Sequence, residues 1–231
     1  MNYIIQAKNI RKSFKNGELV THVLKGIDLN VHEGEFLSIM GRSGAGKSTL
    51  LYQLSLLDEP SAGEINIEGR DVLKLSSDEK TKFRLSQMGY VFQDYALMPE
   101  LTALENASIP LLMQGVPQKE AYARVEKLLH ELGLGHQIYN LPSQMSGGEQ
   151  QRVSIVRAIA HNPKILFSDE PTANLDAESA RKVIDVLKEL NKKGQTIIMV
   201  THEEEYGLET DRIVHLSDGL FDREQVLKHV S

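Results

Sequence analysis

Two segments of this chain have the residue types and spacing of helix starts that meet phosphate. The first, Gly41-Arg42-Ser43-Gly44-Ala45-Gly46-Lys47-Ser48, fits G-x-x-x-x-G-K-[ST] at every position. Its glycines let the backbone curl so that successive N–H groups converge, and a helix beginning near Lys47 adds the positive end of its dipole. Lys47 then reaches terminal phosphates and the Ser48 hydroxyl ligates Mg²⁺. The second, Met145-Ser146-Gly147-Gly148-Glu149-Gln150-Gln151-Arg152, contains the capping pattern S-x-x-E between Ser146 and Glu149. One nucleotide needs one phosphate cradle, so a second implies a divided site.

Carboxylates follow. Ile165-Leu166-Phe167-Ser168-Asp169-Glu170 is an apolar strand ending in two acids. After a phosphate loop, Asp169 is placed to hold Mg²⁺ through water and Glu170 to activate a water against a terminal phosphate. The eight histidines are scattered and cysteine is absent, so no zinc-type ligand spacing arises.

With these motifs in this order, the chain resembles the ABC-type ATPases, the nucleotide-binding subunits of ABC transporters, over nearly its whole length. Gly41–Ser48 resembles the Walker A motif and Ile165–Glu170 the Walker B motif. Gln93, in Gly89-Tyr90-Val91-Phe92-Gln93-Asp94, falls at the Q-loop glutamine, and Ser146-Gly147-Gly148 at the family signature. Ala173-Asn174-Leu175-Asp176 is similar to the D-loop, and His202, after Thr196–Thr201, to the switch histidine. The resemblance implies ATP bound by Phe14, Gly41, Arg42, Ser43, Gly44, Ala45, Gly46, Lys47, Ser48, Thr49 and Gln93. It implies Mg²⁺ held by Ser48, Gln93 and, through water, Asp169, with Glu170, His202 and Lys47 as the catalytic set. Ser146, Gly147, Gly148 and Glu149 would then cover the ATP of a partner subunit, and Asp176 falls in the D-loop. Phe14 stands where the family stacks an aromatic on adenine, although a core position fits it as well. Met145 and Glu149 replace the commoner Leu and Gln of the signature. The first exchange conserves apolar volume; the second brings a negative charge near a phosphate site.

The elements that must position these residues read as an α/β fold. It is a P-loop NTPase (RecA-like) arrangement with a mainly parallel sheet, an N-terminal antiparallel β subdomain and an inserted α-helical subdomain. A single domain over 1–231 is expected, with an ATP-binding core at about 1–93 and 160–231 and a helical subdomain at about 94–159. Ala121, Val125, Leu128, Leu129 and Leu132 recur at helical spacing up to Gly133. Asp176 caps a helix burying Ala180, Val183, Ile184, Leu187 and Leu190, stopped at Gly194. Glu203, Glu204 and Glu205 mark a short helix start, where negative charge is favourable.

Composition sets limits. The 231 residues suffice for one good core but not for an added transport domain. No apolar run approaches the ~20 residues needed to cross a bilayer, and Met1-Asn2-Tyr3-Ile4-Ile5 lacks the pattern of a secretory signal. A cysteine-free chain fits a reducing cytosol, and a net charge of −6 argues against general nucleic-acid binding. The expected setting is cytoplasmic, peripheral on the inner face of the cell membrane, with an integral membrane permease and a second copy of this subunit as partners. Leu97–Leu111 and Leu56–Glu64 resemble the lipoprotein-releasing and macrolide-export ATPases, the LolD and MacB group. A regulator of cell-wall enzymes in cell division, or a soluble non-transport ABC ATPase, would carry the same chemistry.

Overall fold

A computed structural model describes residues 2–227, so the extreme ends of the expected 1–231 span lie outside the described residues. The chain divides into two compact units, one of residues up to Thr81 with those from Asn191 onward, the other of Lys82–Leu190.

In the first unit, strands β1 (Tyr3–Asn16) and β2 (Leu19–His32) form a long antiparallel hairpin. Strands β4 (Ala62–Ile67) and β5 (Arg70–Asp71) extend it into a sheet of order β2-β1-β4-β5. Alternation in β2 buries Ile27, Leu29 and Val31 while Asp28 and Asn30 face outward, the period of two of a half-buried strand. Strand β3 (Phe36–Met40) runs parallel to both β8 (Thr196–Thr201) and β9 (Arg212–Ser217), and β10 (Leu220–Val226) pairs antiparallel with β9. Every residue of β3 and β8 is buried, as expected of parallel strands covered on both faces. The entrance to β3 is pinned by Glu35, which accepts from the Arg212 Nε at 2.6 Å and from the His32 N–H at 2.7 Å. Helix α1 (Lys47–Leu54) follows β3, and the short α7 (Glu204–Gly207) follows β8.

In the second unit, β6 (Met88–Val91) runs parallel to β7 (Ile165–Asp169). Helix α2 (Ser77–Gln87) leads into β6. Helices α3 (Ala103–Met113), α4 (Gln118–Glu131) and α5 (Gly147–Ile159) pack around Leu104, Leu111, Val125, Leu129, Met145 and Val156. The stripe read from the sequence is on the core side: Ala121, Val125 and Leu129 are fully buried, while Leu128 and Leu132 pack at its edge. Helix α6 (Ala177–Lys192) buries Ala180, Val183, Ile184 and Leu187, with Leu190 only partly covered. The combination of parallel strands, an antiparallel sheet and helices is the class expected from sequence.

Candidate functional site

The phosphate loop leaves the end of β3 at Gly41, whose φ is 155°. A Cβ there would stand 2.2 Å from the carbonyl oxygen of Leu216 in β9, so the loop passes too close to a neighbouring backbone for any side chain. Gly46 enters α1 with φ 101°, and the helix starts with no side-chain cap and no acidic residue in its first turn. The positive end of α1 is thus left to whatever anion the loop receives. Lys47 is only 7% exposed. Its Nζ donates to the carbonyls of Gly41 at 2.9 Å and Arg42 at 3.3 Å, so the ammonium closes over the loop it belongs to. Ser48 and Thr49 occupy the first turn of α1.

Met40 pairs with Thr201 in the parallel β3–β8 register. Gly41 and His202 therefore leave adjacent strands at the same carboxyl-terminal edge, where open parallel sheets place ligands. His202 is exposed. Phe14 is 48% exposed, so it is not a core residue, and the Lys12 Nζ lies 5.1 Å from its ring centroid. Lys12 is held in turn by Asp58 at 2.6 Å.

In the second unit, Asp169 closes β7 and Glu170 follows it; they are 5% and 8% exposed. Tyr90 Oη donates to Asp169 Oδ2 at 3.4 Å. Glu170 has φ 44° and precedes Pro171. Left-handed backbone is costly for a non-glycine, and proline restricts the residue before it, so the carboxylate stands on a strained turn. Gln93 is exposed just beyond β6, with its carbonyl accepting from Asn174 Nδ2 at 3.0 Å. Asp176 Oδ1 accepts from the Ser179 N–H at 3.0 Å. The Ser179 backbone and side-chain bonds hold its carboxyl below the usual aspartate value.

Ser146 is the N-cap of α5, and the predicted capping box is complete. The Ser146 N–H and hydroxyl each donate to Glu149 Oε2 at 2.8 Å. The other carboxylate oxygen meets Gln137 Nε2 at 2.8 Å and His136 Nε2 at 3.1 Å. Partial burial works to raise the Glu149 carboxyl, but the bonds from Ser146, Gln137 and His136 outweigh it and bring it down to about 2. Gly148 is required by close approach, since a Cβ there would come within 2.7 Å of Ser179 Cβ; at Gly147 a Cβ would meet the Tyr95 Oη at 2.8 Å.

Several residues that organise this half are not apparent from motif spacing. Asn106 is fully buried and its amide serves the backbone of Met98, Leu101 and Thr102, fixing the segment ahead of α3. Arg157 donates to the carbonyls of Tyr95 and Ala96. Gln151 is fully buried and donates to the carbonyls of Phe92 and Pro171. One signal was available for the last: Gln151 shares a helical face with buried Ile155 and Ala158, and an amide placed there must find internal partners.

The sequence matches a protein-family model described as "ABC transporter" over residues 24–173. The lipoprotein-releasing system ATP-binding protein LolD of Aquifex aeolicus (strain VF5) is 48% identical over 219 residues, spanning 95% of this chain and 96% of that protein. The macrolide export ATP-binding/permease protein MacB of Marinobacter nauticus is 46% identical over 216 residues, spanning 94% of this chain but 34% of that protein. Among solved structures, the dimeric post-hydrolysis state of the ATP-binding cassette MJ0796, bound to ADP and Pi, matches with a TM-score of 0.91 and 41% identity. That match covers 97% of this chain and 99% of the other.

Proposed function

This chain belongs to the ABC transporter family, and from that membership we propose that it hydrolyses ATP in a head-to-tail pair and drives a separate membrane permease. The observation that carries the reading is the contrast between its two glycine-rich helix starts. Helix α1 has no side-chain cap, no first-turn acid and a lysine folded over its loop, so it suits the phosphates of the chain's own ATP. Helix α5 is already capped by Glu149, an anion bound to its first turn. It suits only the edge of a phosphate presented by another subunit.

Lys47 neutralises the terminal phosphates, the P-loop N–H groups cradle them, and Phe14 offers its exposed ring to the base. The Ser48 hydroxyl and the Gln93 amide oxygen would hold Mg²⁺, with the Asp169 carboxylate reaching it through water; these oxygen donors suit a hard cation, which would offset phosphate charge. Glu170 takes the proton of the attacking water, and His202 contacts the phosphate being released. Ser146–Gly148 cover the γ-phosphate on the partner, next to its D-loop.

In this reading the permease docks on the segment from Gln93 to about Asn106, in which Met98 is 52% exposed, and the chain works on the inner face of the membrane. No helix among the described residues is long and apolar enough to cross a membrane. The likeness to LolD and MacB favours a permease whose work is lipoprotein release or export.

The decisive experiment mixes Ser146→Arg subunits with Lys47→Ala subunits, each inactive alone, and measures ATPase activity. Mixed dimers should regain activity at one site, built from the intact phosphate loop of the first subunit and the intact Ser146–Gly148 of the second. A mixture as inactive as the two pure proteins would overturn the shared site. Separately, Glu170→Gln should bind ATP, form a stable dimer and hydrolyse almost nothing.

A further inference from the structure

We propose that Gln151 is a positioning residue that couples the two ATP sites of the dimer, linking the helix that covers one ATP to the loops that hydrolyse the other. The proposal rests on the shared-site reading above.

The side chain has the contacts such a role requires. Gln151 is fully buried. Its Nε2 donates to the carbonyl of Pro171 at 2.9 Å and to that of Phe92 at 3.4 Å. Pro171 is the residue after Glu170, and Phe92 the residue before Gln93. One amide therefore touches the backbone of both loops assigned to the hydrolytic step. It does so from α5, five residues beyond Ser146, on the helix that Ser146 caps.

Two further observations separate this from ordinary core packing. Gln151 Oε1 is buried and has no hydrogen-bond partner. An apolar residue of similar length would avoid that loss, so the donor group is what the position needs. The loops it holds are also strained. Glu170 is left-handed at φ 44° ahead of a proline, and Tyr95 and Ala96 are left-handed at φ 63° and 49°. Strained turns persist only when their surroundings over-determine them. Here Gln151 fixes the peptide beyond Glu170, and Arg157, on the same helix, takes the carbonyls of Tyr95 and Ala96. Asn174 holds the carbonyl of Gln93 from the other side. Arg157 bonds the 95–96 carbonyls and Asn174 ties the D-loop to Gln93; Gln151 reaches both loops from the helix that Ser146 caps. When Ser146–Gly148 meet a partner's phosphate, a shift of α5 passes through this amide to the carbonyl of Pro171, next to Glu170.

The test uses the full chain and two substitutions. Gln151→Met keeps length and volume without a donor. Gln151→Glu places a carboxyl between two carbonyl oxygens, where burial favours the protonated form and its O–H can replace the lost donor. The measurements are kcat, KM and Hill coefficient for ATP from pH 6 to 9, fluorescent-nucleotide affinity and thermal unfolding. For Gln151→Met we expect nucleotide affinity and melting close to wild type. Its kcat should drop about tenfold or more, the scale set by small misplacements of catalytic groups, and its Hill coefficient should fall to one. Gln151→Glu should regain kcat at the acid end and lose it as pH rises. The proposal is overturned if both variants keep wild-type kcat and cooperativity, or if they match each other at every pH. It is also overturned if kcat falls only in step with melting temperature. Failure of the underlying dimer looks different: the wild type itself would be non-cooperative and mixing Ser146→Arg with Lys47→Ala subunits would restore no activity.

Discussion

Glu149 Oε2 lies 2.8 Å from both the backbone nitrogen and the hydroxyl oxygen of Ser146. The negative charge that the sequence sets beside a phosphate-binding segment is therefore turned inward, onto the helix start, and is further balanced by Gln137 and His136. This fixes the first turn of α5 and leaves Ser146 exposed. It also makes Glu149 a structural acid with a measurable titration.

Because its folded value of about 2 lies below the ordinary glutamate value of 4.5, Glu149 stabilises the protein fully above pH 4.5 and loses that contribution as pH falls toward 2. Thermal unfolding of wild type and Glu149→Gln should differ by a constant amount from pH 6 to 8. The gap should close between about pH 4.5 and 2. A gap independent of pH throughout would mean that Glu149 does not bind its cap as an anion.

Glu170 should show the signature of backbone strain when its side chain is removed. Alanine and glycine both delete the carboxylate, but only glycine accepts φ 44° without penalty. Glu170→Gly should be more stable than Glu170→Ala by about 1 kcal/mol, the reverse of the usual order in ordered backbone. Chemical denaturation of the two variants measures it; equal stabilities would mean the turn relaxes freely.

Gly41→Ala should disable nucleotide binding. The added methyl would sit 2.2 Å from Leu216 O, so either β9 or the phosphate loop must move. Titration with fluorescent ATP should show affinity lost by an order of magnitude or more, since a displaced loop no longer aims its N–H groups. Gly44→Ala is the control: nothing lies within 4 Å of its Cβ position, although its φ of 79° still carries strain.

Leu129→Ala tests the helical core. Leu129 is fully buried among Leu111, Val125 and Val156. Truncation should cost roughly 2–5 kcal/mol, by lost transfer energy plus the cavity left behind. Denaturant unfolding monitored by circular dichroism gives the value, and a cost below that range would mean the helices collapse into the space.

Much of the site was legible because its parts are local. The curl of Gly41–Ser48, the Ser146–Glu149 box, the Asp176 cap and the apolar strand carrying Asp169 each depend on residues a few positions apart. Backbone preference and side-chain-to-backbone bonds act at that range, so the chemistry at each motif could be read from residue type and spacing. Phe14 shows the limit. Its neighbours in sequence left core and ligand face equally open, and only the sheet, by leaving the end of β1 half-exposed, removed the first.

Sequence by itself therefore determined the motifs, their chemistry and the order in which they occur. Tertiary structure decided what holds them in place: Leu216 standing against Gly41, Thr201 pairing with Met40 so that His202 and the phosphate loop share an edge, and Gln151 bonded to Phe92 and Pro171. These contacts join residues tens to more than a hundred positions apart. No local propensity encodes them, because a hydrogen bond or close approach between distant segments exists only once the core has fixed where both backbones run.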